Sequence, residues 1–177
     1  MDKGIADGFA FVIQNHGPKS ISREPGSSLG YNGIPHGVVA IEFDNWKNTP
    51  YNDPVYDHVS IQIPDTNGFL SCEHSTNSLG LFKSNFKNGN INNCKIVYNR
   101  KDSEISIFLT INNDNDLPLI EKIENCKIPF DFPLCGYMGF TGSCGDLFQT
   151  TTIYTCSIKA KVDTLEGIQM DLDSLEI

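Results

Sequence analysis

The stretch "VVAIEFDNWKNTPYNDPVYDHVSIQI", residues 38–63, decides the reading of this chain. Its first half alternates apolar and charged residues, as a strand with one buried face requires. Side chains on a strand leave alternate faces, so Glu42, Asp44 and Trp46 share one side while Ile41 and Phe43 take the other. In the next strand Val59, Ile61 and Ile63 pack one way, and His58 and Ser60 the other. If the two strands are neighbours, His58 stands beside Glu42 and Asp44, with Asn48 and Asp53 in the loop between them. Three carboxylates and an imidazole on one spot repel unless a cation neutralises them.

Ligand chemistry divides such a site in two. Carboxylates with one imidazole nitrogen suit a transition ion such as Mn²⁺. Carboxylates with an Asn amide oxygen and a backbone carbonyl suit Ca²⁺, which takes about six to eight oxygens. Asp44 and Asp53 each have two oxygens and can bridge both ions. The loop 45–57, with Pro50, Pro54 and several Asn and Asp, would gain its order from them. A solvated strand face accounts for any two of these residues. The whole E-x-D-x-W-x-N-x4-D-x4-H spacing points to a metal site.

The whole 177-residue chain, 39% hydrophobic and 20% charged, reads as one domain with a sizeable core around that stretch. Short segments rich in Val, Ile, Phe, Tyr and Thr recur: 8–14, 37–43, 58–63, 93–99, 104–111, 134–140 and 151–162. Turn-forming clusters such as "NHGPKS" and "NNDNDLP" separate them, and "NRKDS" joins two into a hairpin. No helical apolar period precedes residue 160, so the expected fold is all-β, an antiparallel β-sandwich. The acidic end, 163–177, reads as a tail, a linker or a short amphipathic helix.

A net charge of −9 and only two arginines, Arg23 and Arg100, argue against nucleic acid as a partner. No apolar run reaches the roughly 20 residues of a membrane span. The opening "MDKGIADGFAFVIQ" lacks the features of a signal peptide. The six cysteines, Cys72, Cys94, Cys126, Cys135, Cys144 and Cys156, contain no CxxC pair, which argues against a zinc knuckle. Their even number over strand-like segments points to disulfides and to a secreted or secretory-pathway location.

Residues 38–63 resemble the metal-binding segment of the legume lectins, plant members of the L-type lectin family with a concanavalin A-like jelly roll. The resemblance implies that Glu42, Asp44, Asp53 and His58 hold Mn²⁺, while Asp44, Asn48, Asp53 and the Trp46 carbonyl hold Ca²⁺. "IADGFAFVIQ" resembles the family's A-D-G strand, which implies a sugar-accepting Asp7 and a cis Ala6–Asp7 peptide. "EPGSSLGY" resembles the Gly-rich turn, with Ser27 the nearest match for its sugar-binding N–H. "GYMGFTGSCGDLFQTTTIYTCSI" resembles the late strand, specificity loop and final strand, and its Gly145-Asp146-Leu147 is closer to the animal secretory-pathway cargo lectins.

A carbohydrate-binding domain over residues 1–162 is therefore expected, lacking the family's N-terminal strands. Its Ca²⁺ and Mn²⁺ would support a shallow pocket for glycans or glycoproteins, and homo-oligomers are open to it. Asp7 would accept hydrogen bonds from sugar hydroxyls, Asn48 and the backbone of 145–148 would donate, and Trp46 would cover the sugar's apolar face. Two rivals remain: a structural or protein-interaction module that binds no sugar, and a glycoside hydrolase of related fold. The hydrolase needs a second glutamate in an E-x-D-x-E strand, where this chain has Trp46.

Overall fold

Strands account for most of the chain in a computed structural model, which describes residues 5–35, 37–113, 117–130, 136–163 and 167–176. In chain order they are β1 (Gly8–Gln14), β2 (Gly37–Asp44), β3 (His58–Gln62), β4 (Ser78–Lys83), β5 (Asn93–Asn99), β6 (Glu104–Ile111), β7 (Leu119–Lys127), β8 (Tyr137–Ser143), β9 (Thr155–Asp163) and β10 (Gly167–Glu176). Two 3-10 turns, Gly26–Ser28 and Thr49–Tyr51, and one short helix, α1 (His74–Asn77), complete the described elements. No described helix is long and apolar enough to cross a membrane.

The chain divides into two units, Met1–Ser84 with Pro133–Thr150, and Asn85–Phe132 with Thr151–Ile177. Each holds one five-stranded sheet, ordered β4-β3-β2-β1-β8 in the first and β7-β6-β5-β10-β9 in the second, with antiparallel pairing throughout.

Register gives the first sheet two different faces. Phe9 pairs with Phe43 and Phe11 with Ile41, and the row continues to Val59 and Ile61 on β3. All six are buried, and the Phe9 and Phe43 rings stack at 4.5 Å. Burying one such side chain contributes about 1.5–3 kcal/mol, so this row fixes which way the sheet faces. On the opposite face the small residues Ala10, Val12 and Ala40 lie under Leu29, Tyr31, Ile34, Leu70 and Cys72 from the connecting loops. That face continues into Glu42 opposite Ser60 and Asp44 opposite His58. A slip of one residue would bury the charges among the phenylalanines.

In the second unit the alternation of β5 and β6 is regular: Cys94, Ile96 and Tyr98 lie opposite Leu109, Ile107 and Ile105, and all six are buried. The hairpin expected at "NRKDS" joins these strands, with Ser103 at φ 51 in its turn.

Three strands differ from the sequence expectation. The acidic segment expected as a tail, linker or helix is β10, which pairs with β5 on one side and β9 on the other. Its Ile168, Met170 and Leu172 alternate with Gln169, Asp171 and Asp173, a period of two that five acids obscured. In β7 the alternation breaks where Asn125 turns to φ 53 and the register with β6 shifts between Ile105 and Ile107. β4, "SLGLFK", is short and half-exposed along an edge.

The disulfides expected from the cysteine count are not seen among the described residues. Cys72, Cys94, Cys144 and Cys156 are free thiols, and Cys135 lies outside the described residues. Cys94 and Cys156 both lie opposite Leu175, one on each side of β10. Two strand spacings of about 4.8 Å put them beyond the roughly 7 Å reach of a disulfide.

The closest backbone approach in the first sheet is at Gly8, with φ +144, where an added Cβ would meet the Phe43 carbonyl oxygen at 2.2 Å. Gly8→Ala is therefore expected to destabilise the protein by about 2–3 kcal/mol or more, read from urea unfolding. A midpoint equal to wild type would contradict this packing.

Candidate functional site

The polar face of β2 and β3 gathers its groups around one carboxylate. Glu42 is only 1% exposed. Its Oε1 accepts from the Tyr31 hydroxyl at 2.9 Å. Its Oε2 accepts from the Ser60 hydroxyl at 2.7 Å and from the Gln62 amide at 3.2 Å. The Nε2 atoms of His74 and His58 lie 3.1 and 3.7 Å from the same oxygen. Burial opposes the charge on Glu42, but the two imidazoles beside it outweigh that and hold the carboxyl well below its usual range.

Next to it lies the loop after β2. Asp44 Oδ1 accepts from the Trp46 backbone N–H at 2.6 Å, and Asp53 Oδ2 from that of Asn48 at 2.6 Å. Burial, with the Glu42 charge second, pushes the Asp44 carboxyl up to about 9. Burial likewise raises Asp53 to about 6, against the Asn48 N–H that favours its charged form. Asn48 Oδ1 is buried without a hydrogen-bond partner. Crowded carboxylates beside an unpartnered amide oxygen are a donor set that fits Ca²⁺. The Glu42 and imidazole atoms, all within 4.8 Å of one another with His58 and His74, fit a transition ion.

Asp7 forms a second corner at the start of β1. Its preceding peptide, Ala6–Asp7, is cis, as the resemblance implies. The Asp7 carbonyl accepts the Asn45 N–H at 3.0 Å, which ties it to the end of β2. Asp7 is 4% exposed, and its Oδ2 accepts the Gly145 N–H at 2.7 Å. Burial raises its pKa, the Gly145 bond lowers it, and the Asp146 charge adds to the rise. Gly26, at φ +65, comes so close that an added Cβ would stand 3.5 Å from Asp7 Oδ2 and 3.4 Å from the Gly145 Cα. Asp7, Gly26 and Gly145 thus share one small corner.

The expected residues fall into place unevenly. Glu42 and His58 meet at the first cluster, with Asp44, Asn48 and Asp53 beside it. Asp7 and Gly145 meet at the second. Trp46 lies beyond the end of β2 and is 44% exposed, which removes a core role for it. Asp146 is exposed and Leu147 half-buried in the same loop as Gly145. Ser27 is half-buried, while its neighbour Gly26 makes the approach to Asp7.

Sequence reasoning missed Tyr31, Gln62 and above all His74. Gln62 shares the parity of His58 and was readable from the strand period. His74 sits in the helix α1, 16 residues beyond His58, and no periodicity connects them. Phe148, 81% exposed in the Gly145 loop, also went unremarked.

Comparison with known proteins points to one family. The family model of the legume lectin domain matches residues 2–172. A lectin of Leucomphalos mildbraedii is 26% identical over 130 residues, covering 73% of this chain and 49% of that protein. A galactose-binding lectin of Arachis hypogaea is 27% identical over 151 residues, covering 78% of this chain and 50% of that protein. The chain thus spans about half the length of these relatives. Among solved structures, peanut lectin with a 9mer peptide matches at TM-score 0.63 and 24% identity over 99% of this chain and 63% of that one. The lectin of Bauhinia forficata in complex with GalNAc matches at TM-score 0.57 and 20% identity, over 97% of this chain and 64% of that one. These likenesses show the fold class, the antiparallel β-sandwich of the legume lectins.

The raised Asp44 pKa has a consequence for stability. A carboxyl whose pKa is higher folded than unfolded contributes fully below its unfolded value, about 4, and loses that contribution as pH rises toward about 9. With chelator present, wild type is expected to lose at least about 3 °C more in Tm than Asp44→Asn between pH 5 and 8.5, the shift of about 1 kcal/mol in a domain of this size. Parallel curves would contradict the burial of an ionisable Asp44.

Proposed function

The chain belongs to the legume lectin family, and from that premise we propose that it is a metal-dependent, non-catalytic protein that binds glycans in a shallow pocket. The observation that supports this most is the corner at Asp7. A buried carboxylate there faces two glycine backbones, Gly26 and Gly145, with no side chain intervening. Vicinal sugar hydroxyls both donate and accept. Asp7 accepts from them, the Asn48 amide and the backbone N–H groups of Asp146 and Leu147 donate, and Ser27 or Gly26 adds a further N–H, while the Gly145 N–H holds Asp7 itself in place. The exposed ring of Trp46 covers the sugar's apolar face. The names of the Arachis and Bauhinia proteins, one galactose-binding and one solved with GalNAc, support a sugar as the ligand.

Ca²⁺ is assigned to Asp44, Asn48, Asp53 and the Trp46 carbonyl, and a transition ion, Mn²⁺ or a relative, to Glu42, Asp44, Asp53 and His58. When bound, the ions supply positive charge that lets these carboxylates stay ionised together. The residues' own task is to hold Asn48 and Trp46 beside Asp7. Hydrolysis of a glycoside is disfavoured by the position of Glu42, buried and fully engaged by Tyr31, Ser60 and the imidazoles. A shallow site holds one sugar weakly, so useful binding needs several sites presented together.

The test is glycan-array binding by a tetravalent presentation of the full chain in Ca²⁺ and Mn²⁺. Binding is expected to fall at least tenfold with chelator and with Asp7→Ala. Binding indifferent to both overturns the assigned pocket. A folded protein that binds no glycan at all favours the protein-interaction reading instead.

A further inference from the structure

Resting on the reading that Glu42 and His58 hold a transition ion, we infer that His74 is a second imidazole ligand at that site and makes it selective for Zn²⁺ over Mn²⁺. Three atoms define the position. Glu42 Oε2, His58 Nε2 and His74 Nε2 form a triangle with sides of 3.7, 3.1 and 3.2 Å. Ligands about 2.0–2.1 Å from one tetrahedral ion stand about 3.3–3.4 Å apart, close to the mean of those sides. An ion just off the plane of the triangle reaches all three atoms without moving the backbone.

The surroundings orient these lone pairs. His58 Nδ1 lies 3.1 Å from the Tyr56 carbonyl, a contact that only an Nδ1–H can make as a hydrogen bond. The neutral ring then carries its lone pair on Nε2, facing His74 and Glu42. A backbone partner on the far nitrogen is the usual way a ligating imidazole is fixed. His74 is held by α1, whose N-terminus is capped by the Glu73 side chain accepting from the Ser75 N–H. The buried Gln62 amide lies 3.3 Å from both ring nitrogens of His74, and its Oε1 has no hydrogen-bond partner. Asp53 Oδ1 lies 3.5 Å from His74 Nε2 and offers a further oxygen.

Two imidazoles and a carboxylate differ in kind from a carboxylate-rich site with one imidazole. The latter suits Mn²⁺, whereas added nitrogen donors favour ions later in the first-row series, where Zn²⁺ stands above Mn²⁺. A cavity of about 490 Å³, lined by Asn52, Pro54, His74, Ser78 and Leu81 among others, gives an ion a route in from the His74 side.

The test uses the full chain stripped with chelator and titrated calorimetrically with Zn²⁺ or Mn²⁺. Wild type is expected to bind Zn²⁺ at least 100-fold more tightly, and His74→Ala to lose at least tenfold in Zn²⁺ affinity with Mn²⁺ affinity changed less than threefold. Zn-edge X-ray absorption of the wild type provides a reading independent of the variant's folding, with two imidazoles expected. One imidazole, or a His74→Ala protein that binds Zn²⁺ as wild type does, overturns the inference while the lectin reading stands. No binding of either metal overturns both this inference and the metal dependence of the proposed function.

Discussion

The structure depends on the repulsion among carboxylates that the strand β2 and its following loop bring together. Glu42 and Asp44 are each 1% exposed, and Asp53 is 8% exposed. Leaving such charges unpaired in a protein interior costs far more than a domain of this size can spare. The chain meets the problem with donors: Tyr31, Ser60 and Gln62 serve Glu42, with two imidazoles beside it, while backbone N–H groups serve Asp44 and Asp53. Those donors suffice for one carboxylate and leave Asp44 pushed toward its neutral form. A divalent cation is the remaining way to keep all of them charged.

The apolar side of the same sheet makes that concentration of charge possible. Because Phe9, Phe11, Ile41, Phe43, Val59 and Ile61 fix the register, Glu42 and His58 have no alternative face to occupy. The same register places Gly8 opposite Asp44, so Asp7 begins where the carboxylate loop begins. The Asn45 N–H donated to the Asp7 carbonyl then connects the carboxylate loop to the corner at Asp7. Under the proposed function the ions would not touch the sugar; they would set where Asn48 and Trp46 stand relative to Asp7.

Much of this was legible from residues 38–63, because both the strand period and the ligand spacing are local. β1, β5 and β6 were legible to the residue for the same reason. What escaped is either masked by composition or not local at all. β10 hid behind its acids, although its apolar residues keep a period of two. β7 hid behind a bulge at Asn125. His74 reaches Glu42 only through the path of the long loop between β3 and β4, which no spacing rule describes. Gly26 was displaced by Ser27 in the expectation because a backbone approach depends on φ and on tertiary fit, neither of which a motif match registers. The cysteines illustrate the converse: their even number suggested pairs, yet strand order keeps Cys94 and Cys156 apart.

Under the proposed function, cations bound by the buried carboxylates would order the loop 45–57 and, through it, the corner at Asp7. Amide hydrogen exchange of the full chain, followed with Ca²⁺ and Zn²⁺ and again with chelator, tests it directly. Slower exchange at Trp46, Asn48 and Gly145 in the metal-loaded protein, at least tenfold and greater than in β6, is the predicted result. Equal exchange at those amides in the two conditions would contradict it.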